Sequence, residues 1–406
     1  MTAVELLTAF RVEDAIRYAP FFEYSEESRI VSIEVHAFGS EDTTVRYSAK
    51  EVEKYEVNNI LRITTADGFE GVSGVDTFYD DGFSDEHAVE LQGVAATLIA
   101  LESLDPVEVG KMLWQSQPGL SDAARSGIDI ALWDLAARRA DCPLYELLGA
   151  QRTTIEPYAS FPFYESLPEY VDAVEKHAKL GYTTFKFHVW GSIDEDLRLV
   201  ELLKRTFADS HYRFMIDLEE KYDFEDALRF AGQMDEALFV WLEGPVEDEH
   251  LEQYAELRSK VGTQIISDGC RCYSREFLRQ GIECDSWDGG RFDATKVGGV
   301  TEALELLLIA NDAGLAMEIQ SWGHSLSQAV NLHLALANPL TRYFEAPTPL
   351  EAFEFGMKNG ISLDRGSAVA PDGAGLGIEV DWDRLPAADF YVSAEQGARP
   401  ANPVTS

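Results

Sequence analysis

The chain reads as an α/β protein: a closed parallel (β/α) barrel preceded by a smaller α+β unit, to which the C-terminal tail returns. Three observations predict this. Short apolar runs alternate with amphipathic helical stretches from about residue 154 to residue 345, the rhythm of a parallel barrel rather than an open sheet. Before that stretch, strands come first and helices after, the order of an α+β unit. A segment rich in Gly, Pro and Asp over Asp364–Asp383 reads as the returning tail. The chain divides on this basis into residues 1–125, 126–350 and 351–406. Its 406 residues exceed one ordinary domain.

Ile30–Phe38 and Asn58–Thr65 read as strands, with a tight turn over Thr65–Phe69. Helical periodicity follows at Glu86–Leu101 and from Ser121 to Arg139, the latter with Ser121 as N-cap. The barrel units then pair Thr154–Ser160 with Pro168–Leu180, Thr183–His188 with Glu195–Phe207, and Arg213–Asp217 with Phe224–Met234. Leu238–Glu243 pairs with Glu249–Val261, Gln264–Asp268 with Ser274–Gln280, Ser286–Lys296 with Val300–Ala313, and Ala316–Ser321 with Ser327–Leu336. Arg342–Glu345 supplies the eighth strand.

Lys and Arg number 33 against 72 Asp and Glu, a formal charge of −39. Such a chain repels phosphate backbones and anionic lipid, so nucleic acid and membrane are not expected partners. The acidity is a statement about solubility, resembling the hydrated surfaces of proteins from salty cytoplasm. No secretory or transmembrane pattern is read, because Glu5, Glu13, Asp14 and Glu23 interrupt the first 25 residues. Four cysteines make no disulfide framework, and Cys270-Arg271-Cys272 lacks zinc-site spacing. The expectation is a cytoplasmic protein.

In a barrel, chemistry sits where strands end. Three consecutive strands end in acids, Asp217, Glu243 and Asp268, separated by 26 and 25 residues. Neighbouring strands lie about 4.8 Å apart, so the three carboxylates converge. Any one of them could be a helix N-cap, but three in register would repel each other unless a cation lies between them. All-oxygen ligands with room for water and substrate suit Mg²⁺. On the preceding strand, alternation puts Lys186 and His188 on one face. Either could act as a base, or could simply pair with a carboxylate. Asp293 on the sixth strand and His324 after the seventh could form a dyad across the mouth.

These residues, in this order, resemble the enolase superfamily, more closely its mandelate racemase-like branch, over nearly the whole chain. Ser126–Ala136 (SGIDIALWDLA), Pro143–Gly149 (PLYELLG), Trp241–Val246 (WLEGPV), Lys296–Val300 (KVGGV) and Gly375–Val380 (GLGIEV) match recurring phrases of that family. The resemblance implies a modified TIM-like barrel with an N-terminal capping domain completed by the tail. It implies a homo-oligomer acting on a small carboxylate, and Asp217, Glu243 and Asp268 as Mg²⁺ ligands. The shared chemistry is removal of the proton α to a carboxylate through a metal-stabilised enediolate.

Lys186 and His188 then occupy the ends of the family's Lys-x-Lys motif, with His188 as base and Lys186 neutralising the substrate carboxylate. Asp293 and His324 would be the opposing dyad, Lys296 a neighbour that touches substrate, and Glu345 a hydrogen-bonding partner of the substrate carboxylate. The chain departs from the pattern at several points. His188 replaces the usual Lys, and Glu219 stands where Asn is common and could contact substrate. Asp268-Gly-Cys replaces Asp-Glu-Ser, and His324 falls one position from an ungapped match, where Ser325 lies. Trp322-Gly323-His324 resembles sugar-diacid dehydratases. Arg46, Tyr47 and Lys50, with Phe78 and Tyr79, are substrate candidates in the cap loops. An acid-sugar dehydratase is the first expectation, a racemase or epimerase of a 2-hydroxy or amino acid the second, and a non-catalytic metal-binding relative the third.

Overall fold

The computed structural model describes residues 22, 24–40, 55–79, 86–269, 273–385, 390–393 and 397–400. The N-terminal unit is built on an antiparallel sheet, β15-β14-β1-β2-β3. Its strands are β1 (Ile30–Ser40), β2 (Tyr55–Thr65), β3 (Glu70–Tyr79), β14 (Phe390–Ser393) and β15 (Gly397–Pro400). Ile33 and Val35 face Ile63 and Leu61 across the β1–β2 ladder, and all four are fully buried. Helices α1 (Glu86–Ile99), α2 (Pro106–Ser116) and α3 (Asp122–Arg139) follow. Ser121 caps α3, its side chain accepting from Ala124 N at 3.2 Å.

Two elements of this unit were not anticipated. The predicted turn leads into β3, whose Gly71, Ser73 and Gly74 weaken any strand signal. A Cβ on Gly71 would stand 2.1 Å from Ala131 O, so the glycine lets α3 lie directly on the sheet. The second is α2, where Asp105 caps by accepting from Val107 N at 2.8 Å and Pro106 opens the helix.

The barrel strands are β4 (Thr154–Ser160), β5 (Thr184–His188), β6 (Arg213–Asp217), β7 (Phe239–Glu243), β8 (Gln264–Ile266), β9 (Gly289–Gly290), β10 (Ala316–Met317) and β11 (Tyr343–Pro347). After the short α4 (Leu144–Leu147), the helices between them are α5 (Leu167–Ala178), α6 (Ile193–Phe207), α7 (Phe224–Ala231), α8 (Leu251–Lys260), α9 (Arg275–Glu283), α10 (Val300–Ala313) and α11 (Ser325–Ala337). The strands run parallel in the order β10-β9-β8-β7-β6-β5-β4, and β11 pairs with the other edge of β4.

Among the described residues no backbone ladder joins β10 to β11, and side chains bridge that seam. Thr341 Oγ1 donates to Met317 O at 2.6 Å, the Tyr343 amide to Glu318 Oε2 at 3.2 Å, and Ser321 Oγ to Glu345 O. The strands expected over Ser286–Lys296 and Ala316–Ser321 shrink to two residues each. Past Gly290 the Arg291 amide turns to the hydroxyls of Ser267 and Tyr273, which ends the regular ladder of β9. Pairing persists in single bonds from Glu318 N to Gly290 O and Gln320 N to Phe292 O, both 2.9 Å.

The tail returns as expected. β12 (Ser362–Asp364) and β13 (Ser367–Val369) form a hairpin against the start of β4, and β14 pairs with β1. Arg62 stacks its guanidinium 4.5 Å from the Trp382 ring. Helix α3 ties the parts together. Buried Asp134 accepts from Val72 N at 2.8 Å in β3 and from Leu376 N at 2.7 Å in the tail, and Trp133 Nε1 donates to Thr301 Oγ1 at 3.0 Å in α10. No helix among the described residues is long and apolar enough to cross a membrane.

Buried acids at the cap–barrel contact make stability pH-dependent. Burial raises Asp129 to about 7 against the hydrogen bonds from Thr301, and burial, with the charge of Asp293, raises Asp76 to about 6. A carboxyl whose folded value is raised stabilises below its unfolded value near 4, and that contribution is lost as pH climbs through 6 to 7. Urea unfolding should therefore show lower stability at pH 8 than at pH 5.5. Asp129→Asn should flatten the profile between those two pH values by at most about 2 kcal/mol, and an unchanged slope would show that Asp129 does not titrate there.

Candidate active site

β5 sets the site by alternation: Phe185 and Phe187 pack outward, while Lys186 and His188 face the barrel interior. Cross-strand register then aligns His188 with Asp217 and Asp217 with Glu243. Lys186 Nζ, 1% exposed, lies 3.0 Å from each of Asp217 Oδ2, Glu243 Oε1 and Glu345 Oε1. Burial works against its charge, but Glu243, Glu345 and Asp217 overcome it and hold the ammonium well above the usual lysine range.

His188 Nδ1 lies 2.7 Å from Phe161 O. A carbonyl can only accept, so Nδ1 carries the hydrogen, leaving Nε2 as the basic atom 3.5 Å from Asp217 Oδ2. Burial, reinforced by the Lys186 charge against the pull of Asp217, drives His188 down to about 4. The imidazole is therefore neutral near pH 7.

The carboxylates differ in support. Asp217 Oδ1 accepts from Glu219 N at 3.0 Å. Although burial opposes it, Lys186 and His188 keep the Asp217 carboxyl below its ordinary range. Glu243 Oε2 accepts from Trp241 Nε1 at 3.1 Å, and burial outweighs Arg291 to raise it. Glu345 accepts from Ser160 Oγ at 2.9 Å and Ser321 N at 3.0 Å, and Lys186 and Arg291 lower it against burial. Asp268, half-buried, follows β8, and its amide and that of Gly269 are both held by Asp248, at 3.0 and 2.8 Å. A Cβ on Gly244 would meet Asp268 Oδ2 at 3.1 Å, so glycine keeps the space beside that oxygen open. Among the described residues no three acidic, His or Cys groups already form a ligating cluster. Lys186 stands between Asp217 and Glu243. The Asp217 and Glu243 oxygens that share this ammonium at 3.0 Å are hard donors of the kind that Mg²⁺ takes.

The Asp293–His324 pair is a correction: the two side chains are not joined. Asp293 accepts from Thr295 N and Oγ1 at 2.8 and 2.9 Å and from Asn331 Nδ2 at 2.8 Å, bracing its own turn. His324 is fully buried, with Nδ1 2.6 Å from Asn58 Nδ2 and Nε2 2.8 Å from Phe355 O. The cap residue Asn58 has captured its ring as a structural histidine. Trp322 reaches the mouth instead, its ring 5.8 Å from that of His188. Glu219, at φ 48, pairs with Lys221, and Lys296 is exposed with its charge acting on Asp76. Arg46, Tyr47 and Lys50 lie outside the described residues, as do the side chains of Phe78 and Tyr79.

One residue escaped the sequence reading. Arg291 is fully buried beneath the mouth, Nε 3.0 Å from Glu243 Oε1, Nη2 2.9 Å from Glu345 Oε2 and Nη1 2.9 Å from Tyr158 Oη. Its signal in the sequence is a basic residue two positions before Asp293, which alternation would put on the same face.

Residues 33–149 match the mandelate racemase / muconate lactonizing enzyme N-terminal domain, and residues 169–384 match the enolase C-terminal domain-like family. The chain belongs to the mandelate racemase / muconate lactonizing enzyme family of the enolase superfamily. A Pseudovibrio sp. crystal structure provisionally named for this family superposes with TM-score 0.84 at 34% identity, covering 88% of this chain and 96% of that one. L-talarate/galactarate dehydratase of Salmonella typhimurium is 29% identical over 321 residues, 74% of this chain and 76% of the relative. Its structure with Mg and L-lyxarohydroxamate shares the fold, with TM-score 0.79 at 23% identity over 92% and 93% of the two chains. D-Ala-D/L-Ala epimerase of Cytophaga hutchinsonii is 28% identical over 335 residues, 81% of this chain and 89% of the relative. Dehydratases and epimerases thus both stand among the relatives of this family member.

Proposed function

We propose that this protein dehydrates an acid sugar to a 2-keto-3-deoxy acid with His188 as the single acid/base. The observation that carries this reading is the state of the two histidines. His188 presents a free, neutral Nε2 beside Asp217, while both ring nitrogens of His324 are engaged by Asn58 and Phe355. Two-base racemisation needs a base on each face of the α-carbon, whereas elimination can proceed from one.

Mg²⁺ held by Asp217, Glu243 and Asp268 would polarise the substrate carboxylate and make its α-proton more acidic. Lys186 places a positive charge where negative charge develops on that carboxylate. Glu345, braced by Ser160 and Ser321, is positioned to hydrogen-bond the same group. His188 Nε2 takes the α-proton, breaking the C–H bond, and returns it to the β-hydroxyl, which leaves as water. The enol so formed tautomerises to the 2-keto acid. Trp322 and Phe353, rings 5.7 Å apart, cover the mouth beside His188 and help exclude water.

The test is a library of mono- and dicarboxylic acid sugars incubated with Mg²⁺ and assayed for keto acid with semicarbazide. Keto acid that disappears with EDTA supports the reading. Epimerised substrate without keto acid would move the assignment to the racemase and epimerase relatives.

A further inference from the structure

The interior of the barrel below the mouth is mostly apolar: Tyr158, Met215, Trp241 and Ile266 pack there, with Tyr343 against them. Arg291 is the basic side chain inserted into that layer from β9, at 0% exposure. It reaches three other strands, Tyr158 on β4, Glu243 on β7 and Glu345 on β11. β7 and β11 are the fourth and eighth barrel strands, on opposite sides, so the guanidinium spans the barrel. Its own amide is tied to Ser267 Oγ at 3.0 Å, which fixes where the side chain starts.

We propose that Arg291 is a positioning residue that anchors Glu243 as a metal ligand and Glu345 as a substrate contact from beneath the site. The inference rests on the metal assignment above. Two cations, Lys186 and Arg291, touch the same two acids, but they are not equivalent. Lys186 sits on a flexible four-carbon stem and can move aside when another cation arrives at Asp217 and Glu243. Arg291 cannot follow it. Its planar fork is held by a phenol and a carboxylate at 2.9 Å each, and it stays charged at every working pH. When Lys186 leaves Glu243, Arg291 is the charge that remains on Oε1, with Trp241 on Oε2. Arg291 holds the Glu243 carboxylate in place from beneath the mouth.

Why arginine is tolerated in the layer also follows from the packing. Gly289 and Gly290 precede it, and a Cβ on Gly290 would lie 2.3 Å from Tyr273 Oη and 2.7 Å from Met317 Sδ. The bare backbone of β9 lets Tyr273 and Met317 close in.

The probe is Mn²⁺, read by electron paramagnetic resonance and displaced by Mg²⁺, on the intact protein with and without Arg291→Gln, Arg291→Lys and Tyr158→Phe. R291Q should weaken Mn²⁺ at least tenfold with its near-UV circular dichroism retained, and R291K, which keeps the charge but not the fork, should lose less than R291Q without reaching the parent. A folded R291Q that binds Mn²⁺ within twofold of the parent, or R291K losing as much as R291Q, overturns the proposal. Should R291Q not fold, Y158F, which removes only the neutral anchor of Arg291, should weaken Mn²⁺ two- to fivefold, and unchanged affinity there overturns it equally. A parent protein that binds no divalent cation would instead overturn the metal assignment itself, and this inference with it.

Discussion

His188→Asn is expected to lower kcat by about 10²–10⁴-fold, the range a positioned general base contributes, while Mn²⁺ affinity stays within threefold of the parent. Asn can still donate toward Phe161 O, so the loop after β4 keeps its anchor. It has no basic nitrogen to face Asp217. Because His188 is neutral near pH 7, its removal changes no formal charge beside the carboxylates. The two effects should therefore separate cleanly: turnover lost, metal kept. Steady-state rates together with Mn²⁺ titration check this, and an active H188N enzyme would remove His188 from the role of base.

Asp217→Asn is expected to do the reverse at the first step, weakening Mg²⁺ by at least about 100-fold, since even residues that merely orient metal ligands commonly cost 10- to 100-fold. Asn at this position can still accept from Glu219 N, so the turn after β6 should survive. What it loses is the charge that faces Lys186 and His188 across 3.0 and 3.5 Å. Lys186 would then pair only with Glu243 and Glu345. Isothermal titration with Mg²⁺ reads the loss directly, and unchanged affinity would exclude Asp217 as a ligand.

Much of the site was legible because it depends on local rules. Two-residue alternation places Lys186 beside His188, and strand register places Asp217 next to His188 and Glu243 next to Asp217. The rest depended on partners distant in the chain. His324 stands one position from the family's histidine, and its fate was decided by Asn58, 266 residues away on β2. No periodicity in its own segment reports that contact. Arg291 is not legible in its own segment, because the partners that make a buried charge tolerable, Tyr158, Glu243 and Glu345, lie on three other strands.

The same division holds for the fold. Helix α3 was readable from Ser121 and its apolar run. β3 was not, because its glycines serve the approach of that helix rather than strand propensity. The barrel strands β9 and β10 were overextended because extended chain and laddered strand look alike in sequence. Here the amide of Arg291 is satisfied by hydroxyls instead of a neighbouring strand.

Elimination from one face by His188 is read by proton NMR of the reaction in D₂O with Mg²⁺ and an acid-sugar substrate. The expected result is 2-keto-3-deoxy product carrying deuterium at C3 from ketonisation, with recovered substrate retaining its original C2 configuration. Substrate recovered with inverted, deuterated C2 would point to a second base opposite His188 and contradict single-base elimination.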